Sequence, residues 1–204
     1  MSEQGVEPFP VDLDAWEAWS PAQAARLLEG LEAPWYVAAG WALDLFLGRQ
    51  TRPHTDLEVG IPGQRFPVVR ERLADYELVV VGDGHGWPLT ESTLAAYHQT
   101  WVREPRGPWR VDVFREPWDG DVWICRRDSR IRLGRDALIS RSREGIPYAA
   151  PEVVLLFKAK ATRPKDDEDF VTVLPHLDAA GRRWLRSSLE LVHPGHRWLG
   201  ELTS

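Results

Sequence analysis

The chain has 204 residues, of which 43% are hydrophobic, which is enough for one medium domain, or for one domain with a small appended lobe. Its formal charge of −6 argues against a protein held on duplex nucleic acid, because binding to phosphates depends on clustered Lys and Arg. The only cysteine, Cys125, excludes an intramolecular disulfide and a cysteine-based zinc site, so a reducing cytoplasm is the expected location. No apolar run approaches the roughly 20 residues that span a bilayer, and no membrane partner is expected.

Cap and turn residues divide the first part of the chain into helices and strands. Ser20-Pro21 has the chemistry of a helix start, and Gly30 would end that helix. A short β-rich segment at 35–40 leads through a small-residue turn into a helix that Gly48 would end. Strands are predicted at 56–61, 76–82, 96–104 and 109–114, with a short helix at 66–74.

The pattern changes after Pro147, where three segments have helical spacing and little strand character. They lie at 151–162, 167–177 and 180–192. The simplest interpretation is an α+β protein, in which a mixed β-sheet flanked by helices precedes a smaller C-terminal helical lobe. We expect a catalytic domain at 1–148 and the helical lobe at 149–204.

The stretch RPHTDLEV places two carboxylates two residues apart at the edge of an apolar run. In a strand, Asp56 and Glu58 share one face, while the apolar residues between and after them share the other. Asp112 in WRVDVF would bring a third carboxylate to the acidic face if the two strands are neighbours. Such carboxylates suit Mg²⁺, which prefers oxygen ligands and substrate phosphates. An ordinary solvated strand face is the alternative for an isolated acid-x-acid pattern.

The run AAGWALDLFLGRQTRPHTDLEV resembles the signature of the aminoglycoside and lincosamide adenylyltransferases, small antibiotic nucleotidyltransferases of the polymerase-beta-like superfamily. The segments WRVDVF, ICRRD and YAAPEVVLLFKAKATRPKDDEDF are also similar to later parts of such proteins, so the resemblance covers most of residues 35–175. Two departures stand out. Ala39 lies where the family commonly has Gly, and Glu58 lies where many members have Asp.

The resemblance implies a nucleotidyltransferase fold and a role for each matching residue. Asp56 and Glu58 would hold Mg²⁺ on a nucleoside triphosphate, and Asp112 would complete the site and deprotonate the acceptor hydroxyl. Gly40 would lie beneath the phosphates at a helix N-terminus. The triphosphate also needs cations, for which the candidates are Arg52, Lys158 and Lys165. Lys158 and Lys165 could reach one ligand if a single helix continued to Pro164.

The expected function is Mg²⁺-dependent transfer of a nucleoside monophosphate, AMP from ATP, to a hydroxyl of a small molecule. An aminoglycoside-type antibiotic is the specific candidate acceptor. Two alternatives stay open: a nucleotidyltransferase that modifies a protein, as antitoxin-like members do, and a nucleotide- and metal-binding module without catalysis. No nucleic-acid partner is expected, and the oligomeric state is left open. The acidic run at 166–169 is interpreted as a helix start, where carboxylates favour the positive end of the dipole.

Overall fold

A computed structural model describes residues 6–202 of the chain as an α+β protein in which helices flank mixed β-sheet, which confirms the predicted fold class. The chain forms two compact units, each discontinuous in sequence. The first unit contains the chain up to Trp35 and His54–Glu116, and the second contains Tyr36–Pro53 and the chain from Pro117 onward. The division at residue 148 into a catalytic domain and a helical lobe stays a prediction.

The elements are numbered in chain order. The α-helices are α1 (Pro21–Leu27), α2 (Ala39–Leu47), α3 (Phe66–Arg72), α4 (Glu91–Ala96), α5 (Arg135–Leu138), α6 (Pro151–Lys158), α7 (Pro164–Val173) and α8 (Ala179–Val192). The strands are β1 (Tyr36–Val37), β2 (Glu58–Pro62), β3 (Glu77–Gly82), β4 (His85–Trp87), β5 (Gln99–Arg103), β6 (Trp109–Glu116), β7 (Trp118–Asp119), β8 (Val122–Ile124), β9 (Arg132–Gly134), β10 (Ile139–Arg141) and β11 (Pro147–Ala149). Short 3₁₀ helices lie at Gly63–Arg65, Ala159–Ala161, Leu174–His176 and Arg197–Gly200.

The first unit is built on strands in the order β2-β6-β5-β3-β4. Strands β2 and β6 run parallel, and the remaining neighbours are antiparallel. One face of β2 and β6 carries Val59, Ile61 and Val113, which lie together with residues of α1 and α3. Helix α1 begins where the sequence predicts, because Ser20 and Gln23 form a reciprocal capping box around Pro21.

The other face of this sheet is covered at one end by the segment that precedes α1. Trp101 and Trp109 are buried there and contact Trp16, with the rings of Trp101 and Trp16 4.9 Å apart in an edge-to-face arrangement. Trp101 and Asp112 are paired residues of β5 and β6, so their side chains leave the sheet on the same side. The apolar cluster therefore borders the acidic part of this face.

The second unit combines two small groups of strands with four of the longer helices. Strand β11 pairs in parallel with β1 and antiparallel with β10, while β7, β8 and β9 form an antiparallel meander. Helix α6 is buried along most of its length and contacts α2, α7 and α8. Its fully buried Leu155 and Leu156 share the core of this unit with Phe170, Leu185 and Leu189.

Most predicted elements are confirmed within two or three residues. Segment 126–143, for which the sequence predicts no element, forms β9, α5 and β10. Strands of three residues and a helix of four complete neither a strand alternation nor a helical repeat, so their pattern cannot be recognised in the sequence. Helix α2 begins at Ala39, where the sequence predicted a turn.

Candidate active site

The first two site residues are brought together by parallel pairing of β2 and β6. Glu58 and Asp112 are directly paired residues, and the backbone N–H of Asp112 donates to the carbonyl of Leu57 over 2.8 Å. Neighbouring strands lie about 5 Å apart, and paired residues point to the same face. Leu57 and Val59, which flank Glu58, are 0% and 1% exposed on the opposite side. The burial of these apolar neighbours is what directs both acids to one face.

Asp112 is the most unusual carboxylate of this group, since it is only 4% exposed. Its Oδ2 accepts a 2.6 Å hydrogen bond from the side-chain Nε2 of Gln99, whereas Oδ1 has no hydrogen-bond partner among residues 6–202. Burial raises the pKa of Asp112 to about 7, and the charge of Asp56 acts in the same direction. Gln99, the indole of Trp101 and the backbone of Thr100 lower it.

Asp56 lies in the loop immediately before β2 and is half-buried, as is Glu58. Its effect on the pKa of Asp112 shows that the two carboxylates interact electrostatically. Within the described residues, no group of three or more His, Cys, Asp or Glu side chains is arranged to hold a metal ion. The acids are thus neighbours on one face of the sheet without forming a closed cage.

The donor set fits Mg²⁺ in an open site. Magnesium is commonly held by one or two carboxylates, with waters and substrate phosphates supplying the remaining oxygens, so a three-sided cage is not required. The partnerless Oδ1 of the buried Asp112 is a carboxylate oxygen of the kind a hard cation needs. Asp112 and Glu58 are therefore the residues that could bind the ion directly, with Asp56 beside them.

In the second unit, the turn between β1 and α2 has an unusual backbone. Ala39, the first residue of α2, has a φ of 48°, in the left-handed region that favours glycine. Ala38 precedes it as N-cap without a side-chain cap, and Gly40 is buried as the second helical residue. The first N–H groups of a helix have no partner within the helix, so this end can accept anionic oxygen atoms.

Arg52 and Lys158, both predicted to contact the nucleotide, take part in a buried ion-pair network of the second unit. Arg52 binds Asp169 through two hydrogen bonds of 3.1 and 3.0 Å. Lys158 is 8% exposed and lies 2.9 Å from Asp166 and 2.8 Å from Asp169. The arginine and lysine lower the pKa of Asp169 against the opposing effect of burial. Nucleotide binding by these two cations stays a prediction.

The acids of this network show that the helix-start interpretation of the acidic run was incomplete. Asp166 and Asp167 do lie in the first turn of α7, as predicted. Asp166 and Asp169 are nevertheless buried, and the i, i+3 spacing between them directs both towards α6. A lysine at the end of the apolar run of α6 was the available signal, but its pairing requires knowledge of how the two helices pack.

Lys165 is separated from Lys158 by a break in the helix. Helix α6 ends at Lys158, and α7 begins at Pro164, so the single helix on which both lysines might have reached one ligand does not form. Lys165 is exposed in the first turn of α7, and no ion pair involves it within the described part of the chain. Its role in phosphate binding stays a prediction.

Sequence reasoning missed Gln99 and Arg115, which support the acidic face. Arg115 is buried and binds the carbonyls of Leu94 and Tyr97, each over 2.5 Å, and the hydroxyl of Thr100 over 3.2 Å. Burial lowers the pKa of Arg115 to about 10, which leaves it charged at neutral pH. Alternation along β5 places Gln99 on the side of Trp101, which is the only sequence signal that could have pointed to it.

This chain resembles one protein-family model and several solved structures. Residues 22–101, less than half of the chain, match the family model described as aminoglycoside-2''-adenylyltransferase. No curated protein matches the sequence. The solution structure of the antibiotic-resistance factor ANT(2'')-Ia aligns with a TM-score of 0.56 and 16% identity over 83% of this chain and 89% of that one. The lincomycin-bound lincosamide adenylyltransferase LnuA aligns with a TM-score of 0.54 and 16% identity over 81% and 98%.

A second ANT(2'')-Ia structure, in complex with adenylyl-2''-tobramycin, aligns with a TM-score of 0.56 and 15% identity over 83% of this chain and 95% of that chain. At such identities the structural likeness establishes the fold, which is that of the nucleotidyltransferases. Together with the family match, it defines the protein as a nucleotidyltransferase. More particularly, residues 22–101 are similar to the aminoglycoside-2''-adenylyltransferases, the family that the matching model describes.

Among the described residues, no helix is long and apolar enough to cross a membrane.

Proposed function

We propose that this protein transfers AMP from ATP to a hydroxyl group of a small molecule in a reaction that requires Mg²⁺. The observation that carries the proposal is the pairing of Glu58 with Asp112, whose buried Oδ1 has no partner among residues 6–202. An aminoglycoside-type antibiotic is the specific candidate acceptor, because the matching family model describes an aminoglycoside adenylyltransferase.

The side chains of the first unit have distinct tasks in this reaction. Asp112 accepts the proton of the acceptor hydroxyl at Oδ1, as a general base. The hydroxyl oxygen then attacks the α-phosphorus in line, and pyrophosphate leaves. Magnesium, when bound by Glu58, Asp112 and Asp56, reduces the repulsion between nucleophile and phosphate and stabilises the pyrophosphate.

Phosphate contacts in the second unit are assigned to Gly40, Arg52, Lys158 and Lys165. The start of α2 supports this role for Gly40, since its backbone is buried at an uncapped helix N-terminus. Arg52 and Lys158 already neutralise Asp169, so any contribution to triphosphate binding would be shared with that acid. Lys165 is the exposed member of the set.

The direct test is release of pyrophosphate from each nucleoside triphosphate with Mg²⁺, against a panel of aminoglycosides, lincosamides and other polyols. We expect turnover with ATP and at least one small acceptor, and loss of about 10²–10⁴-fold in Asp112→Asn, the range of general-base catalysis. Asp83→Asn, a change in an exposed turn, is the matched control. Radiolabelled AMP on protein bands would favour the protein-modifying alternative. Stabilisation by Mg-ATP without turnover on any acceptor would favour the binding module.

A further inference from the structure

We propose that Gln99 is a positioning residue that holds Oδ2 of Asp112, so that Oδ1 remains available to the cation and the acceptor hydroxyl. This inference rests on the proposed function of Asp112. It assigns different tasks to the two oxygen atoms of one carboxylate.

The geometry of β5 and β6 supports this division. Gln99 is paired with Phe114, which places it diagonally across from Asp112 and on the same face of the sheet. From there its Nε2 reaches Oδ2 over 2.6 Å. A carboxylate can rotate about its terminal bond, and a hydrogen bond to one oxygen removes that freedom. The rotation of the Asp112 carboxylate is therefore restricted by Gln99.

The chemical nature of Gln99 matters as much as its position. An amide donor orients the carboxylate but leaves its negative charge intact, whereas a lysine or arginine at the same place would neutralise it. The charge of Asp112 raises the pKa of Arg115, but the side chain of Arg115 leaves β6 on the opposite face. Its guanidinium is engaged with the carbonyls of Leu94 and Tyr97. Among these contacts, none pairs the Asp112 carboxylate with a cation.

Arg115 also holds the start of β5, where Gln99 lies, against β6. The carbonyls that it binds belong to the end of α4 and the residues immediately before β5. Its third partner, Thr100, follows Gln99 directly in β5. These bonds join the backbone before Gln99 and the side chain of the residue after it to β6, the strand that carries Asp112. The start of β5, from which Gln99 reaches Asp112, is consequently held against β6 by Arg115 as well as by strand pairing.

The test uses two variants. Gln99→Met replaces the amide by an apolar group of similar length. Gln99→Asn keeps the amide on a side chain that is one methylene shorter, so that it no longer reaches Oδ2. Gln64→Met, at an exposed position, is the matched control. Binding of Mn²⁺ is measured by electron paramagnetic resonance in the presence of an ATP analogue with a methylene bridge between its α and β phosphates. We expect both Gln99 variants to bind Mn²⁺ at least about tenfold more weakly, the range found for residues that orient metal ligands.

A second readout separates positioning from general damage to the protein. We expect kcat for AMP transfer to fall about tenfold or more in Gln99→Met, with the KM of the acceptor changed less than about twofold. Circular dichroism establishes that each variant is folded. Equal Mn²⁺ binding by Gln99→Met and the unmodified protein would overturn the positioning role and leave the proposed function intact. Absence of Mn²⁺ binding by the unmodified protein would overturn both.

Discussion

Asp112, the proposed general base, lowers the stability of the folded protein when it is charged. Its pKa is about 7 in the folded protein, well above the value of an exposed aspartate, so the folded state binds the proton more tightly than the unfolded state. Stability is therefore lost as the pH rises from about 4 to 7, and the full penalty applies above pH 7. Burial of the charge that the proposed reaction needs is the physical cause.

Asp112→Asn should consequently stabilise the protein while removing its activity. Without divalent cations at pH 8, we expect the free energy of unfolding to increase by about 1–2 kcal/mol, since each pKa unit corresponds to about 1.4 kcal/mol and relaxation reduces the total. Denaturant unfolding at pH 8 and at pH 4 measures this. The gain should shrink towards the lower pH, where Asp112 is protonated in both states. An unchanged or lower stability at pH 8 would contradict the assigned burial penalty.

Ala39 is a second residue whose backbone conformation has an energetic consequence. A residue with a Cβ atom in the left-handed region is destabilised by about 1–2 kcal/mol, whereas glycine gains about 0.4–1 kcal/mol of unfolded-state entropy. Since Ala39 has a φ of 48°, we expect Ala39→Gly to stabilise the protein by about 0.5–1 kcal/mol in thermal unfolding. Ala95→Gly in the exposed interior of α4 is the control and should destabilise by a similar amount.

At the level of elements, α6 and α7 are joined by charges that have little contact with water. Lys158 lies between Asp166 and Asp169, and Arg52 binds Asp169 from the loop after α2. A buried pair is weak evidence for net stabilisation, but removal of one partner leaves an uncompensated charge. The packing of α6, α7 and the loop after α2 thus depends on the same ion pairs.

Asp169→Asn tests this dependence. We expect the free energy of unfolding to fall by about 3–5 kcal/mol, because Arg52 loses its carboxylate and Lys158 keeps only one of its two. Asp167→Asn, on the same helix, is the matched control. Its ion pair with Arg197 is exposed, and such pairs contribute about 0–1 kcal/mol. Similar losses in the two variants would show that burial of the network has no special energetic role.

The acid sensitivity of the whole molecule follows from its carboxylates. Arginine partners hold the pKa values of Glu77 and Asp167 below their usual range, and the buried Asp166 and Asp169 are lowered by Lys158 together with Arg163 and Arg52. Carboxylates with lowered pKa values stabilise the fold above their unfolded pKa, and this contribution is lost as the pH falls below it. Asp112 and Glu152 oppose the trend, because burial raises their pKa values.

We therefore expect the free energy of unfolding to decrease steadily between pH 5 and pH 2. The decrease should be smaller in Asp169→Asn, which no longer has that carboxylate to protonate, and unchanged in Ala39→Gly. Denaturant unfolding at half-unit pH intervals gives both curves. A flat profile over this range in the unmodified protein would contradict the linkage between the ion pairs and stability.

Much of the fold and part of the site could be predicted because their signals are local. The capping box at Ser20, the stop at Gly48 and the alternation around Glu58 depend on residues close in sequence. The bond from Gln99 to Asp112 and the pairing of Lys158 with Asp166 depend on which strands and helices become neighbours. The position of Lys158 after an apolar run and the alternation along β5 are the local signals, and neither identifies the partner.

The sequence by itself determined the α+β class, the order of the main elements and the family resemblance, because periodicity, caps and motifs are properties of contiguous segments. Only the tertiary structure decided that Asp112 lies beside Glu58, that one of its oxygens is left without a partner among residues 6–202, and that Arg52 and Lys158 are held by α7. Burial and charge pairing arise between segments far apart in sequence, and they exist only once the chain has folded.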